Sequence, residues 1–202
     1  MMVEIENGRS RPPFRNSLEI TVGECVSCID FAVRASAKYN GGGSDWKGGL
    51  IGPMSIMGHT LEGYQSPHFV GKLGEFAVAK LMNVPVDFAV NGGDDGKDLM
   101  LSSGSVQVKT SQKHNGNCLV NTEKIGTSDF FVFCTLNQKK KPRIFVDILG
   151  WCTKKEVVSC DIKRSPRKSC RHFNYEVWES LLRPISSLVQ LHKKGFLNAS
   201  NS

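Results

Sequence analysis

The chain has 202 residues, 40% of them hydrophobic and 22% charged, with a formal net charge of +7. That is room and composition for one soluble globular domain with a substantial core. No apolar run reaches membrane-spanning length, and the N-terminal MMVEIENGRSRPPFR lacks the apolar centre of a secretory signal. The expectation is an intracellular protein, cytoplasmic or nucleoid-associated, with no membrane partner. Its seven cysteines are odd in number and scattered, which points to reduced thiols rather than a disulfide framework.

Up to about Ser17 the chain is polar, with Pro12 and Pro13, and reads as a loosely docked arm. Leu18 to Tyr39 reads as a short strand or turn followed by a helix from about Glu24, in which Cys25, Ile29 and Val33 form an apolar stripe. Cys25 and Cys28 make a CxxC, but a zinc site would need two more ligands from Cys152, Cys160, Cys170 or His172, at no recognised spacing. Core packing is the better reading. Residues 40–65 are rich in glycine without the GK[ST] of a phosphate-binding loop, and read as a long loop. His59 and His68, in and beside it, read as structural or solvated.

A helix of about four turns is predicted next. Ser66 is its N-cap, Pro67 its first residue, and Val70, Leu73, Ala77 and Leu81 its buried stripe. Glu75 lies off that stripe in a row with Gly71, Val78 and Met82. Gly71, one turn before the acid, would let another backbone or a substrate come close. VPVDFAV, residues 84–90, alternates as a strand, with Asp87 opposite the apolar face. Asp94 and Asp95 are explained by turn chemistry.

Residues 92–111, GGDDGKDLMLSSGSVQVKTS, carry the strongest pattern. Leu99 and Leu101 alternate with Asp98 and Met100, and Val106 and Val108 alternate with Gln107 and Lys109, as two half-buried strands would. With Ser102 to Ser105 as a four-residue loop, Leu101 pairs with Val106 and Leu99 with Val108. Asp98 then faces Lys109 across the hairpin at ~5 Å, with Gln107 on the same face. A one-residue slip would mix the apolar and polar sets.

Beyond the hairpin, Lys113 and His114 are placed to touch a phosphate backbone. Asp129 to Asn137 and Arg143 to Trp151 read as two further strands joined by a KKKP turn. Residues 139–172 hold eleven Lys and Arg against Asp147, Glu156 and Asp161, a local excess of +8 that accounts for the whole net charge. Lys139, Lys140, Lys141, Arg143, Lys163, Arg164, Arg167, Lys168 and Arg171 are the candidate contacts to a polyanion, most often nucleic acid. YEVWESLLRPISSLVQLHKK reads as an apolar helical pattern interrupted at Pro184. The organisation expected is an arm, helix and Gly-rich loop over 1–65, an α/β core with its basic portion over 66–190, and a tail over 191–202.

GxxGE on a helix, then a strand, then Asp98 at the head of a hairpin and QVK on its second arm, resembles the PD-(D/E)XK nuclease superfamily. That superfamily includes restriction endonucleases and Holliday junction resolvases, and the matching stretch runs from about Pro67 to Trp151. Gln107 stands where most members have Glu or Asp, a variant that RecB-like and transposon-end members share. The resemblance implies a restriction endonuclease-like α/β core, a central mixed sheet flanked by helices. It implies a Mg²⁺-dependent DNA endonuclease or exonuclease, Mn²⁺ substituting, with Glu75, Asp98, Gln107 and Lys109 catalytic. Glu75, Asp98, the amide oxygen of Gln107 and the backbone carbonyl of Val108 would hold the metal. DNA is the implied partner, in a homodimer, without a nucleotide cofactor. Two other readings stay open: a catalytically inactive nuclease fold that binds DNA, and a basic nucleic-acid-binding structural protein.

Overall fold

The computed structural model describes residues 5–6, 9–10, 16–40, 67–90, 97–111, 118–137, 143–164 and 173–199. Their elements are, in order, β1 (Ile5–Glu6), β2 (Arg9–Ser10), β3 (Asn16–Ile20), α1 (Val22–Asn40) and α2 (Pro67–Met82). Then come β4 (Leu99–Leu101), β5 (Gly104–Ser111), β6 (Cys118–Asn121), β7 (Phe130–Asn137) and β8 (Ile144–Thr153). The chain closes with α3 (Lys154–Val158), β9 (Ile162–Arg164), β10 (Phe173–Val177) and α4 (Ile185–Ala199). The Gly-rich loop with His59, the turn with Asp94 and Asp95, Cys170 and His172 lie outside the described residues, as does Ser66.

A five-stranded sheet in the order β3-β8-β7-β5-β4 divides the molecule, with β5 and β7 parallel and every other pair antiparallel. This is the expected mixed α/β arrangement of a central sheet flanked by helices. One face is covered by helices. Cys25, Cys28 and Ala32 of α1, Phe69, Leu73, Ala77 and Val78 of α2, and Ile185 and Leu188 of α4 pack there on Leu99, Val106, Val108, Val132, Val146 and Ile148. The other face carries a second core, where Phe131, Phe133, Leu149 and Cys152 meet Val157 of α3 and Cys118, Val120 and Val177. These last three belong to a small antiparallel sheet ordered β6-β10-β9. Strand alternation sends neighbouring residues to these two cores, which is why the strands read as nearly continuous apolar runs.

The alternation is broken once. Phe133 pairs with Gly150 but Cys134 with Ile148, so Leu149 is the extra residue of a β-bulge. Beside it Gly150 has φ +150°, and a Cβ there would lie 2.5 Å from the Arg183 carbonyl oxygen. The close approach lets Trp151 and Arg183 exchange backbone hydrogen bonds, tying the start of α4 to the sheet.

The helix after the N-terminal strand begins two residues earlier than the sequence pattern suggested. Thr21 and Glu24 form a reciprocal cap: the Thr21 N–H donates to Glu24 Oε2 at 2.7 Å and the Glu24 N–H to Thr21 Oγ1 at 3.4 Å. Cys25 and Cys28 are buried in the helical core as expected. Burial pushes their thiols up to about 11 and about 12, so both are neutral packing groups.

Three sequence expectations are corrected. Residues 84–90 alternate between half-buried and exposed but pair with no strand among the described residues. Side chains take their carbonyls instead: Lys72 bonds the Asp87 oxygen at 2.9 Å, Arg34 that of Phe88 at 3.2 Å and Lys38 that of Val90 at 2.7 Å. Pro184 interrupts no helix, because the residues before it form β10 and a short 3-10 turn, Glu179–Leu181, and α4 starts after it. A proline there sacrifices no helical N–H bond.

The third correction concerns the hairpin register. Leu99 pairs with Val106, Met100 with Ser105 and Leu101 with Gly104, leaving a tight turn at Ser102 and Ser103. The register is two residues tighter than predicted. A shift of two preserves every face, so hydrophobic pattern alone cannot distinguish the two pairings. Gly104, at φ +141°, and Asp129 select the observed one: Asp129 Oδ2 accepts from both the Ser105 N–H and the Ser105 hydroxyl at 2.8 Å.

Candidate metal centre at the β4–β5 edge

With the tighter register, Asp98 no longer faces Lys109: it sits just before β4, whose first pair is Leu99 with Val106. β4 ends there, and the Asp98 carboxylate takes over its edge: Oδ2 accepts the Val108 N–H at 2.6 Å, while the Asp98 N–H donates to the Val106 carbonyl at 2.9 Å. In a strand the N–H and C=O of one residue point the same way, so the Val108 carbonyl is directed to the edge where Asp98 sits.

The pleat of β5 gives Val106 and Val108 to the helical core. Gln107 and Lys109 therefore project from the opposite face, beside their parallel neighbours Phe131 and Phe133. Gln107 is only 4% exposed, and its side-chain oxygen Oε1 has no hydrogen-bond partner among the described residues. An amide oxygen stranded in this way is costly unless something binds it.

Glu75 approaches from the helical side. Its Oε2 is ion-paired with Lys72, one turn earlier on α2, and both side chains are largely buried. The Lys72 ammonium also bonds the Asp87 carbonyl and lies 4.1 Å from the centroid of the Phe31 ring and 5.9 Å from that of Phe88. Lys72 is not among the candidate residues that the sequence pattern points to. Its signal was present as an i, i+3 neighbour of the acid. The hairpin edge thus joins the Asp98 carboxylate to the Val108 backbone, while Gln107 and Lys109 project from the face opposite α2 and Glu75, paired with Lys72, lies on the helical side of the sheet.

The glycine that permits close approach is Gly74, not Gly71. A Cβ at Gly71 would meet nothing within 4 Å, whereas one at Gly74 would collide with the Thr110 side chain of β5. α2 consequently lies tight against the strand that bears Gln107 and Lys109.

Two locks hold the hairpin. At its turn, His192 of α4 accepts the Ser102 N–H on Nδ1 at 3.1 Å, and the Ser102 hydroxyl donates to the His192 carbonyl. The Ser102 hydroxyl also lies 3.0 Å from His192 Nδ1, so these contacts together latch the hairpin turn to α4. At its second arm Asp129 holds Ser105, whose N–H and hydroxyl, with Lys97 and Lys154 nearby, keep the Asp129 carboxyl below the usual range.

Other candidates fall elsewhere. His68 lies in the first turn of α2, where burial pushes its imidazole below the ordinary value. Asp87 accepts the Ala89 N–H and stays exposed. Arg143 pairs with Glu19 at 3.3 Å, and Lys163 pairs with Glu176. Arg164 is exposed on β9. Lys113, His114, Lys139, Lys140, Lys141, Arg167, Lys168 and Arg171 lie outside the described residues. Among the described residues no three of His, Cys, Asp and Glu gather as a metal cluster, and no helix is long and apolar enough to cross a membrane.

No protein-family model, curated protein or solved structure matches the chain. Its functional reading therefore rests on the residues themselves.

Proposed function

We propose that the chain is a Mg²⁺-dependent deoxyribonuclease of PD-(D/E)XK type in its QxK form, built on a restriction endonuclease-like core. One observation carries the reading: just before β4, Asp98 bonds the backbone of Val108, next to Gln107, whose buried Oε1 has no partner among the described residues.

The donor set suits a small hard cation, since a carboxylate, an amide oxygen and a backbone carbonyl are all oxygen ligands. Asp98, Gln107 Oε1 and the Val108 carbonyl would hold it, while Glu75, which the resemblance adds to the set, is paired with Lys72 on the helical side. When bound, a divalent cation lowers the pKa of a water and polarises a phosphate. The remaining work falls to the chain. Lys109, on the face of Gln107, orients the attacking water and offsets charge growing on the phosphate oxygens. Asp129 and His192 hold the hairpin so that these groups need not reorganise during the reaction.

An assay on linear, nicked and branched DNA with Mg²⁺, Mn²⁺ or EDTA tests the reading. The expected result is metal-dependent cleavage, abolished by Asp98→Ala and by Lys109→Ala. Cleavage that survives Asp98→Ala overturns the site. A second reading, a nuclease fold that binds DNA without cutting it, is favoured by the ion pair that engages Glu75 and by the amide in place of an acid at 107. It predicts DNA binding and no cleavage in any metal. Gln107→Glu restores the missing negative charge and should tighten Mg²⁺ binding, measured by calorimetry, under either reading.

A further inference from the structure

The hairpin of β9 and β10 has no part in the site above, and its exposed side chains are unusual. β9 is an edge strand of the small sheet, and all three of its residues, Ile162, Lys163 and Arg164, are exposed. Arg164 is the cross-strand partner of Phe173, and Ile162 that of Tyr175. Directly opposed residues share a face, so Phe173, Arg164, Ile162 and Tyr175 form one surface. Tyr175 anchors it on the second core. Beyond that anchor Phe173 is 52% and Ile162 57% exposed.

The opposite face of the same strands is chemically closed. Lys163 is ion-paired with the buried Glu176 and lies 5.4 Å from the Trp178 ring centroid. Arg164, by contrast, has no ion pair or hydrogen bond among the described residues. The Thr122 hydroxyl bonds the Phe173 carbonyl at 3.1 Å, which fixes the backbone under the exposed ring. The result is an exposed aromatic ring on a hydrogen-bonded backbone with a guanidinium beside it, on an edge that no described strand pairs with. The eight residues joining the two strands, SPRKSCRH, add three more Arg and Lys and no acid.

We infer that the Phe173–Arg164 face of the β9–β10 hairpin is a docking platform for unpaired nucleic-acid bases, Phe173 stacking on a base and Arg164 meeting the adjoining phosphate. Every base has a π-face, so an exposed aromatic ring recognises an unpaired strand without regard to sequence, while a duplex hides those faces inside its stack. The cations supply the charge complement of a phosphate backbone. A protein strand added to the β9 edge would be served by backbone groups and apolar pockets and would gain nothing from this charge. The inference deepens the proposed function by naming the form of the polymer, and rests on that reading for its identity as nucleic acid.

The test is equilibrium binding of the full chain in EDTA, where cleavage plays no part. The probes are a fluorescent single-stranded oligonucleotide, the duplex of the same sequence, and heparin as a polyanion without bases. Phe173→Ala should weaken single-strand binding about tenfold, leave duplex and heparin binding within about twofold, and be rescued by Phe173→Trp. Arg164→Ala should weaken all three. Equal losses on single strand and duplex, no loss on the single strand, or failure of Phe173→Trp to rescue overturns the inference. Wild-type binding with no cleavage in any metal would sink the nuclease reading and leave the platform standing.

Discussion

Glu75 holds two positions at once, a candidate metal ligand and the partner of a buried lysine. The Lys72–Glu75 pair is walled by Phe31 and Phe88 on the helical side of the sheet. Removing one member strands the other charge away from water, at a cost of about 3–5 kcal/mol for a well-buried pair. Glu75→Ala should therefore lower stability markedly in chemical denaturation as well as touching the candidate site, while Glu75→Gln keeps an acceptor for the ammonium and should lose clearly less. Equal losses for the two would show that the pair contributes little. Asp129 gives a residue-scale pH dependence. Its folded carboxyl lies below its unfolded value near 3.9 because Ser105 bonds the ionised form. The stability it contributes is present above that value and disappears as pH falls through the folded pKa. Denaturation midpoints measured from pH 6 to about pH 2 should fall less steeply for Asp129→Asn than for wild type.

At the scale of elements, the hairpin bearing Asp98 and Gln107 is set by what touches it. α2 presses on β5 through Gly74 and Thr110, and α4 reaches the turn through His192, with Gly195 against Ser102. Adding a methyl at Gly74 forces these two elements apart, and overpacking of this kind costs about 1–3 kcal/mol. Gly74→Ala should destabilise the protein and Thr110→Ala should recover part of the loss, an interaction that a double-mutant cycle reads directly. Additive effects would mean that the helix and strand do not meet there. α3 is closed by its own cap. Burial works against the ionised Glu156, but the Thr153 N–H and hydroxyl and the Arg183 guanidinium outweigh it and hold the carboxyl below its usual range.

Across the whole molecule, two cores on opposite faces of one sheet divide the labour. The helical face buries α1, α2 and α4. The other face supports the small sheet that displays the exposed β9–β10 edge. The basic excess of residues 139–172 makes salt a direct probe of the partner. Each phosphate contact contributes about 0.9 to the slope of log affinity against log salt on duplex DNA. Replacing Lys139, Lys140 and Lys141 together by Gln should reduce that slope by up to about three units. An unchanged slope would remove the KKKP turn from the interface.

Residue order alone was enough for the periodicities: the two helices before the hairpin, the strands at β7 and β8, the buried CxxC, and the shared face of Gln107 and Lys109. These follow from alternation and helical spacing, which are local properties of the chain. The register of the hairpin was not legible, because a two-residue shift leaves every face unchanged and the deciding groups, Gly104 and Asp129, act through a turn and a strand 24 residues on. The strand expected at 84–90 failed for a related reason: strand propensity says nothing about whether a neighbour will come, and Arg34, Lys38 and Lys72 took its carbonyls first. The engagement of Glu75 by Lys72, and the exposed ring at Phe173, likewise depend on which elements pack together, and packing is settled only when distant segments compete for the same face.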